Sequence, residues 1–254
     1  DDIYISPSQI RLFNLKTGKT VWKKTIHAVA TEPLLIQDRM YIAQQMGRLS
    51  CFDLENGDKR YEVETKNSTP STPAGDQDRI ILAGDEGVVQ AFTAELKLIW
   101  TVKDLGPIRG GVVLRDSCVY VGSTEGKFYA LAAENGSIRW QVDLSGNIFM
   151  PAAVADSMVV FGATDHRLYG LNRFDGTLLW SLKTDAAINT DPIISHDTVI
   201  FGAMDKTLYA VDLRDGKEKW RFVGKGRWRG SPVVVKDRLL CAMEDDYLFC
   251  FGAP

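Results

Sequence analysis

The sequence predicts an all-β fold, a β-propeller of four-stranded antiparallel blades, and three observations predict it. Large aromatics recur at a fixed interval: Trp22, Tyr61, Trp100, Trp140, Trp180 and Trp220 are 39, 39, 40, 40 and 40 residues apart. A glycine stands four residues before each aromatic (Gly18, Gly57, Gly136, Gly176 and Gly216), with Leu96 alone breaking the rule. Between these landmarks the apolar residues fall into short strand-length runs with no helical periodicity.

Each period opens with a run A headed by proline or a small residue, as in Pro33-Leu34-Leu35-Ile36, Pro151-Ala152-Ala153-Val154, Pro192-Ile193-Ile194 and Pro232-Val233-Val234-Val235. Proline is acceptable there because the first residue of a strand need not donate to the ladder. Runs B and C follow as a hairpin: Met40 to Ala43 with Leu49 to Leu54, Ile80 to Gly84 with Val88 to Phe92, and Val119 to Ser123 with Phe128 to Leu131. The series continues with Val159 to Ala163 and Leu168 to Leu171, Val199 to Ala203 and Leu208 to Val211, and Leu239 to Met243 with Tyr247 to Phe251. Run D follows a tight turn and carries the aromatic. Asn56-Gly57, Asn135-Gly136, Asp175-Gly176 and Asp215-Gly216 are dipeptides that supply the positive φ of such turns. A single four-stranded sheet cannot bury both faces, so it must stack on its neighbours.

With Ile3 to Ile5 and Ile10 to Leu15 as the first hairpin, the chain holds seven B–C pairs, six A runs and six D runs. Seven blades with three-stranded first and last members fit this count, and so does a truncated eight-bladed ring. Residues 1–254 read as a single propeller domain. A start without Met points to a processed protein or a segment of a longer one.

A chain of 254 residues buries roughly three quarters of its unfolded surface and needs neither metal nor disulfide to hold a core. No apolar run approaches the roughly 18 residues of a membrane span, and no targeting segment opens the chain. The net charge of −3 is spread rather than clustered, which argues against nucleic acid as a partner. Cys51, Cys118, Cys241 and Cys250 are too scattered for a disulfide framework or a zinc site. If a hairpin turns at Asp245-Asp246, Cys241 faces Cys250; a bridge and a pair of packed thiols both fit that arrangement. Small residues at one place in run C (Cys51, Ala130, Gly170, Ala210 and Cys250) read as notches for the indoles. The docking set Trp22, Tyr61, Trp100, Trp140, Trp180 and Trp220 therefore reads as core.

The repeat resembles the pyrroloquinoline-quinone-type family, whose pattern Ala-x-Asp-x-x-Thr-Gly-x-x-x-Trp is matched by Ala210 to Trp220, with Asp215 in place of the threonine. Ala130 to Trp140 and Gly170 to Trp180 keep the spacing while Ala132 and Asn172 replace the aspartate; Thr17-Gly18 with Trp22 keeps the end of the pattern. The family includes quinone-dependent dehydrogenases, outer-membrane assembly lipoproteins and sensor domains. The resemblance implies a periplasmic or extracellular setting. Dehydrogenases of the family carry a longer chain and an adjacent cysteine pair, which this sequence lacks, so the resemblance carries neither quinone nor calcium across.

No HExxH, GxSxG or GxGxxG string occurs. His27, His166 and His196 stand alone in loops or turns. No catalytic, cofactor or metal residue is therefore assigned. The recognition surface of a propeller is the face of its D–A connections and B–C turns around the channel mouth, and here the repeat stops repeating. Arg109, Phe149, Asn189, Asp191, Arg227, Trp228 and Arg229 fall in those connections. Trp228, between two arginines, is the one tryptophan outside the aromatic series; a binding anchor and a plug in the channel both account for it. The function expected is a non-catalytic scaffold binding a protein partner. A small-ligand sensor and a quinone-dependent dehydrogenase fragment are the alternatives.

Overall fold

The computed structural model describes residues 2–6, 8–26, 28–228, 230–244 and 247–252. The described residues form strands and turns, and no helix among them is long and apolar enough to cross a membrane. The chain divides into two compact units, Asp1–Ser117 with Ala132–Ser137, and Cys118–Leu131 with Ile138–Pro254.

In the first unit β1 (Asp2–Ser6), β2 (Gln9–Phe13) and β3 (Thr20–Thr25) make a three-stranded sheet. A four-stranded sheet follows from β4 (Leu34–Ile36), β5 (Arg39–Gln44), β6 (Arg48–Asp53) and β7 (Lys59–Glu64). Another consists of β8 (Ala74–Gly75), β9 (Arg79–Ala83), β10 (Val89–Thr93) and β11 (Leu98–Val102), after which comes β12 (Val112–Arg115). The second unit takes up the chain with β13 (Cys118–Gly122), β14 (Lys127–Ala132) and β15 (Ile138–Asp143). Next come the sheet of β16 (Ala153–Val154), β17 (Met158–Ala163), β18 (Arg167–Asn172) and β19 (Leu178–Lys183), and that of β20 (Ile193–Ser195), β21 (Thr198–Gly202), β22 (Thr207–Asp212) and β23 (Glu218–Val223). A three-stranded sheet of β24 (Val233–Val235), β25 (Arg238–Ala242) and β26 (Leu248–Gly252) comes last.

The described residues thus form seven up-and-down antiparallel sheets, the first and last three-stranded, in the A-to-D order expected from the sequence. Strands B and C carry the core: β13 and β17 are buried along their whole length. Strand D alternates, its docking aromatic inward and its neighbours exposed.

The small residue of strand C has a specific place. Ala91, Ala130, Gly170, Ala210 and Cys51 each pair across the sheet with the docking aromatic of strand D, and the ladder shifts register immediately after each pair. The notch therefore faces the aromatic of its own sheet. At Gly170 even a methyl group would lie 2.3 Å from the Trp180 ring.

Candidate functional site

The docking aromatics do not all share one environment. Trp22, Trp100, Trp140 and Trp180 are only 8–9% exposed. Their indole N–H groups donate to the carbonyls of Leu54, Ala133, Arg173 and Leu213 at 2.9–3.0 Å. The faces of these rings lie on Gly57, Gly136, Gly176 and Gly216, where φ is +69° to +75° and an added Cβ would meet the indole at 2.6–2.7 Å. Tyr61 and Trp220, expected in the same core, are 37% and 39% exposed. For Tyr61 the facing turn carries Leu96, at φ +62° and 4% exposed, in the glycine's place. The turn carbonyl there, Ala94, accepts instead from Tyr41 Oη at 3.0 Å and from Arg39 at 3.2 Å. For Trp220 the last sheet ends at β26, and no glycine turn covers its ring among the described residues.

The D–A connections hold the residues expected to bind. In the first unit, Arg109 is exposed and pairs through Nε with Asp85 Oδ1 at 3.0 Å, tying its connection to a B–C turn. In the second unit, Phe149 is half-buried. Asn189 donates its amide to Met204 Sδ at 3.4 Å, while its Oδ1 is buried without a partner. The backbone N–H of Asp191 donates to Ser231 Oγ at 3.1 Å, fastening one connection to the start of the next sheet. The Arg227 side chain is exposed, and its carbonyl accepts the N–H of Glu244 at 2.9 Å. Arg229 and His27 lie outside the described residues.

Trp228, read from the sequence as either a binding anchor or a plug in the channel, is a core residue. It is 2% exposed and packs with Ile200, Leu208, Leu239, Cys241 and Met243. Phe249 stands 5.6 Å from its ring, and its indole N–H donates to the Lys206 carbonyl at 2.9 Å. The reason lies in a second period. Ile108, Ile148, Ile188 and Trp228 each follow the strand-D aromatic by eight residues, and all are 1–2% exposed. Ile148, Ile188 and Trp228 cover Gly122, Gly162 and Gly202, where an added Cβ would come within 2.3–2.5 Å. This row of apolar anchors is visible in the sequence at intervals of 40 residues.

Two threonines that the repeat does not mark fix the 184–191 connection. Thr184 Oγ1 donates to the carbonyls of Ala186 and His166 at 2.7 and 3.1 Å. Thr190 Oγ1 accepts the Gly202 N–H at 2.8 Å and donates to the Gly202 carbonyl at 3.0 Å. At the foot of the B–C turns, Tyr169 and Tyr209 donate their hydroxyls to Asp165 and Asp205. Burial, together with these carboxylates, raises both phenols above their ordinary range, Tyr209 to about 12.

The remaining chemistry-bearing groups are dispersed. His166 and His196 are exposed turn residues with φ of +65° and +55°. Among the described residues no three His, Cys, Asp or Glu groups converge on a metal-sized space. The sequence-based pairing of Cys241 with Cys250 does not occur: Cys241 faces Phe249 and Cys250 faces Leu240. The Met243 N–H reaches the Tyr247 carbonyl at 3.0 Å and Ala242 faces Leu248, one residue away from the expected register; the expected Asp245-Asp246 turn lies outside the described residues. Both thiols are free, Cys241 buried and Cys250 exposed, and burial pushes Cys241 up to about 12.

Sheets of this order, in which notch, glycine turn and docking indole recur, define a β-propeller of pyrroloquinoline-quinone-type repeats. The family model described as "Outer membrane protein assembly factor BamB" matches residues 6–108 and 85–251, and the chain belongs to that family. The outer membrane protein assembly factor BamB of Moranella endobia (strain PCIT) is 28% identical over 154 residues, 54% of this chain and 40% of that relative. The match thus spans less than half of the relative's length. The crystal structure of BamB from Moraxella catarrhalis superposes with a TM-score of 0.80 at 18% identity, covering 97% of this chain and 80% of that one. The computationally designed protein Ika8 superposes at 0.88 and 15% identity, over 97% and 78% of the two chains. At such identities these two likenesses speak for the fold alone.

Proposed function

We propose that this chain is a non-catalytic protein-binding module that serves outer membrane protein assembly outside the cytoplasm. One observation carries the reading. At the eighth residue after Trp100, Trp140, Trp180 and Trp220 the connection is pinned by a buried apolar group, Ile108, Ile148, Ile188 or Trp228. At the ninth residue the chemistry changes freely, as Arg109, Phe149 and Asn189. A rigid anchor beside a variable neighbour is how a repeat scaffold presents recognition groups. In the second unit Phe149, Asn189, Asp191 and Arg227 are the contact residues; in the first, Arg109 acts by itself.

The test immobilises the chain and exposes it to a detergent extract of cell envelopes. A defined protein is captured, and Asn189→Arg or Arg227→Glu abolishes that capture without moving the melting temperature. An identical captured set for parent and variants would sink the proposal.

A further inference from the structure

A groove of about 290 Å³ lies within the first unit, between β3 and the sheet that holds β5, β6 and β7. Offsets in the repeat show what normally fills that space. Two residues after the docking aromatic stand Val63, Val102, Val142, Leu182 and Phe222, but Lys24 follows Trp22. Immediately before the notch the second unit carries Tyr129, Tyr169 and Tyr209, all buried, where the second sheet carries Ser50. Tyr209 belongs to one apolar cluster with Trp180, and Leu182 packs against that cluster. The leucine and tyrosine that fill the space there are lysine and serine here, and the groove is the room they leave.

Its inner wall is polar. Ser50 is 0% exposed, and its hydroxyl lies 2.8 Å from Gln44 Oε1 and 2.9 Å from Glu62 Oε2, so its one proton serves one acceptor at a time. Gln44 holds the hairpin position of Ala163 and Ala203. Toward the mouth, Lys24 pairs with Asp58 at 2.6 Å and Lys59 with Glu62 at 2.9 Å. Arg48 reaches the same Glu62 only at 3.8 Å, and its side chain is 53% exposed. The Lys59 ammonium holds Glu62 below the usual carboxylate range, so Glu62 is ionised. Three cations therefore face two carboxylates, and Arg48 is the cation least engaged. Buried Ile26 and Phe52 complete the lining.

We propose that this groove binds a small aromatic monocarboxylate that carries a phenolic hydroxyl. The carboxylate neutralises the surplus charge at Arg48, whose planar fork matches it. The ring takes the place of the repeat's tyrosine against Ile26 and Phe52, and the hydroxyl meets Ser50 and Gln44. A groove at the lower end of the ligand-site range, about 300 Å³, admits one such ring. Polar groups set into the interior of a repeat cost stability unless a partner satisfies them, and this ligand supplies one. The reading does not depend on the role of Arg109, Phe149, Asn189, Asp191 and Arg227.

Isothermal titration of the 254-residue chain with para-hydroxyphenylacetate tests it. Saturable binding to a single site is expected. Tyramine, the same ring with a cation in place of the carboxylate, binds at least about tenfold more weakly, the worth of one charge-assisted hydrogen bond. Ser50→Tyr, which puts back the residue of the second unit, abolishes binding and holds or raises the melting temperature. Arg48→Glu, an exposed substitution, weakens the acid by about tenfold or more and reverses the preference toward tyramine; it decides the matter should Ser50→Tyr fail to fold. The absence of saturable binding at millimolar acid overturns the proposal. So does equal affinity for acid and amine, and so does undiminished binding to a folded Ser50→Tyr, which would place the ligand elsewhere.

Discussion

Replacing Trp180 and Trp220 separately by alanine tests the docking argument, since the two residues hold the same repeat position in different surroundings. Trp180 is 8% exposed, donates its indole N–H to Leu213 at 2.9 Å and lies against Gly216. Removing the ring uncovers about 200 Å² of apolar surface, which at about 25 cal/mol per Å² amounts to about 5 kcal/mol. That figure sits at the top of the range of about 3–5 kcal/mol for large buried aromatics, and the orphaned Leu213 carbonyl adds to the loss. Trp220 is 39% exposed and docks on no glycine turn among the described residues, so its truncation costs about 1 kcal/mol. Urea titrations followed by circular dichroism, compared at unchanged slope, read the difference directly. If the two variants lose stability equally, the glycine turn contributes nothing to holding the indole and the docking account is wrong.

Trp228→Ala, by the same physics, destabilises the chain about as much as Trp180→Ala, which a thermal melt shows. Gly216→Ala costs more than Gly18→Ala in denaturant titrations: both sit at positive φ, +69° and +65°, but only Gly216 has a ring 2.6 Å from the new Cβ. The shared left-handed penalty is about 1–2 kcal/mol, and the excess at Gly216 reports the indole contact. Arg109→Ala leaves the melting temperature nearly unchanged, because an exposed ion pair is worth about 1 kcal/mol or less. Tyr209 titrates near 12 in the folded chain against 10.0 ordinarily. Its stabilising contribution is complete below pH 10, is lost as the pH rises through 12, and disappears from the melting curves of Tyr209→Phe.

Strand order and turn positions were legible because each rests on a local requirement that recurs. A glycine in the left-handed region, an indole four residues on and a small notch opposite it leave marks at fixed offsets. The mismatched pair at the second and third sheets was only half legible. Tyr61 and Leu96 each break the pattern in the sequence, but their matching appears only in three dimensions. There Leu96 fills the glycine's place in a cluster with Tyr41 and Cys51, and the Ala94 carbonyl has gone to Tyr41 and Arg39. Exposure of Trp220 was not legible either, because position in the period says what a residue is shaped to do and nothing of which groups cover it.

The candidate site was read less well than the fold, and Trp228 shows why. Its flanking arginines and its absence from the aromatic series left a binding anchor and a channel plug both open, yet its distance from Trp220 is the distance of Ile148 from Trp140 and of Ile188 from Trp180. A repeat constrains every position that touches a neighbouring sheet, whatever residue type fills it, so identity is a weaker guide than offset. The same rule separates the groups left to function. Asn189 follows a buried anchor by one residue and keeps a buried, partnerless Oδ1. An unsatisfied buried acceptor of this kind costs about 1–3 kcal/mol, a cost that packing against Met204 does not relieve. A donor brought by a partner to that oxygen would recover it. Asn189→Leu should therefore hold or raise stability while it weakens capture of the partner, whereas a purely structural asparagine would lose stability and leave capture intact.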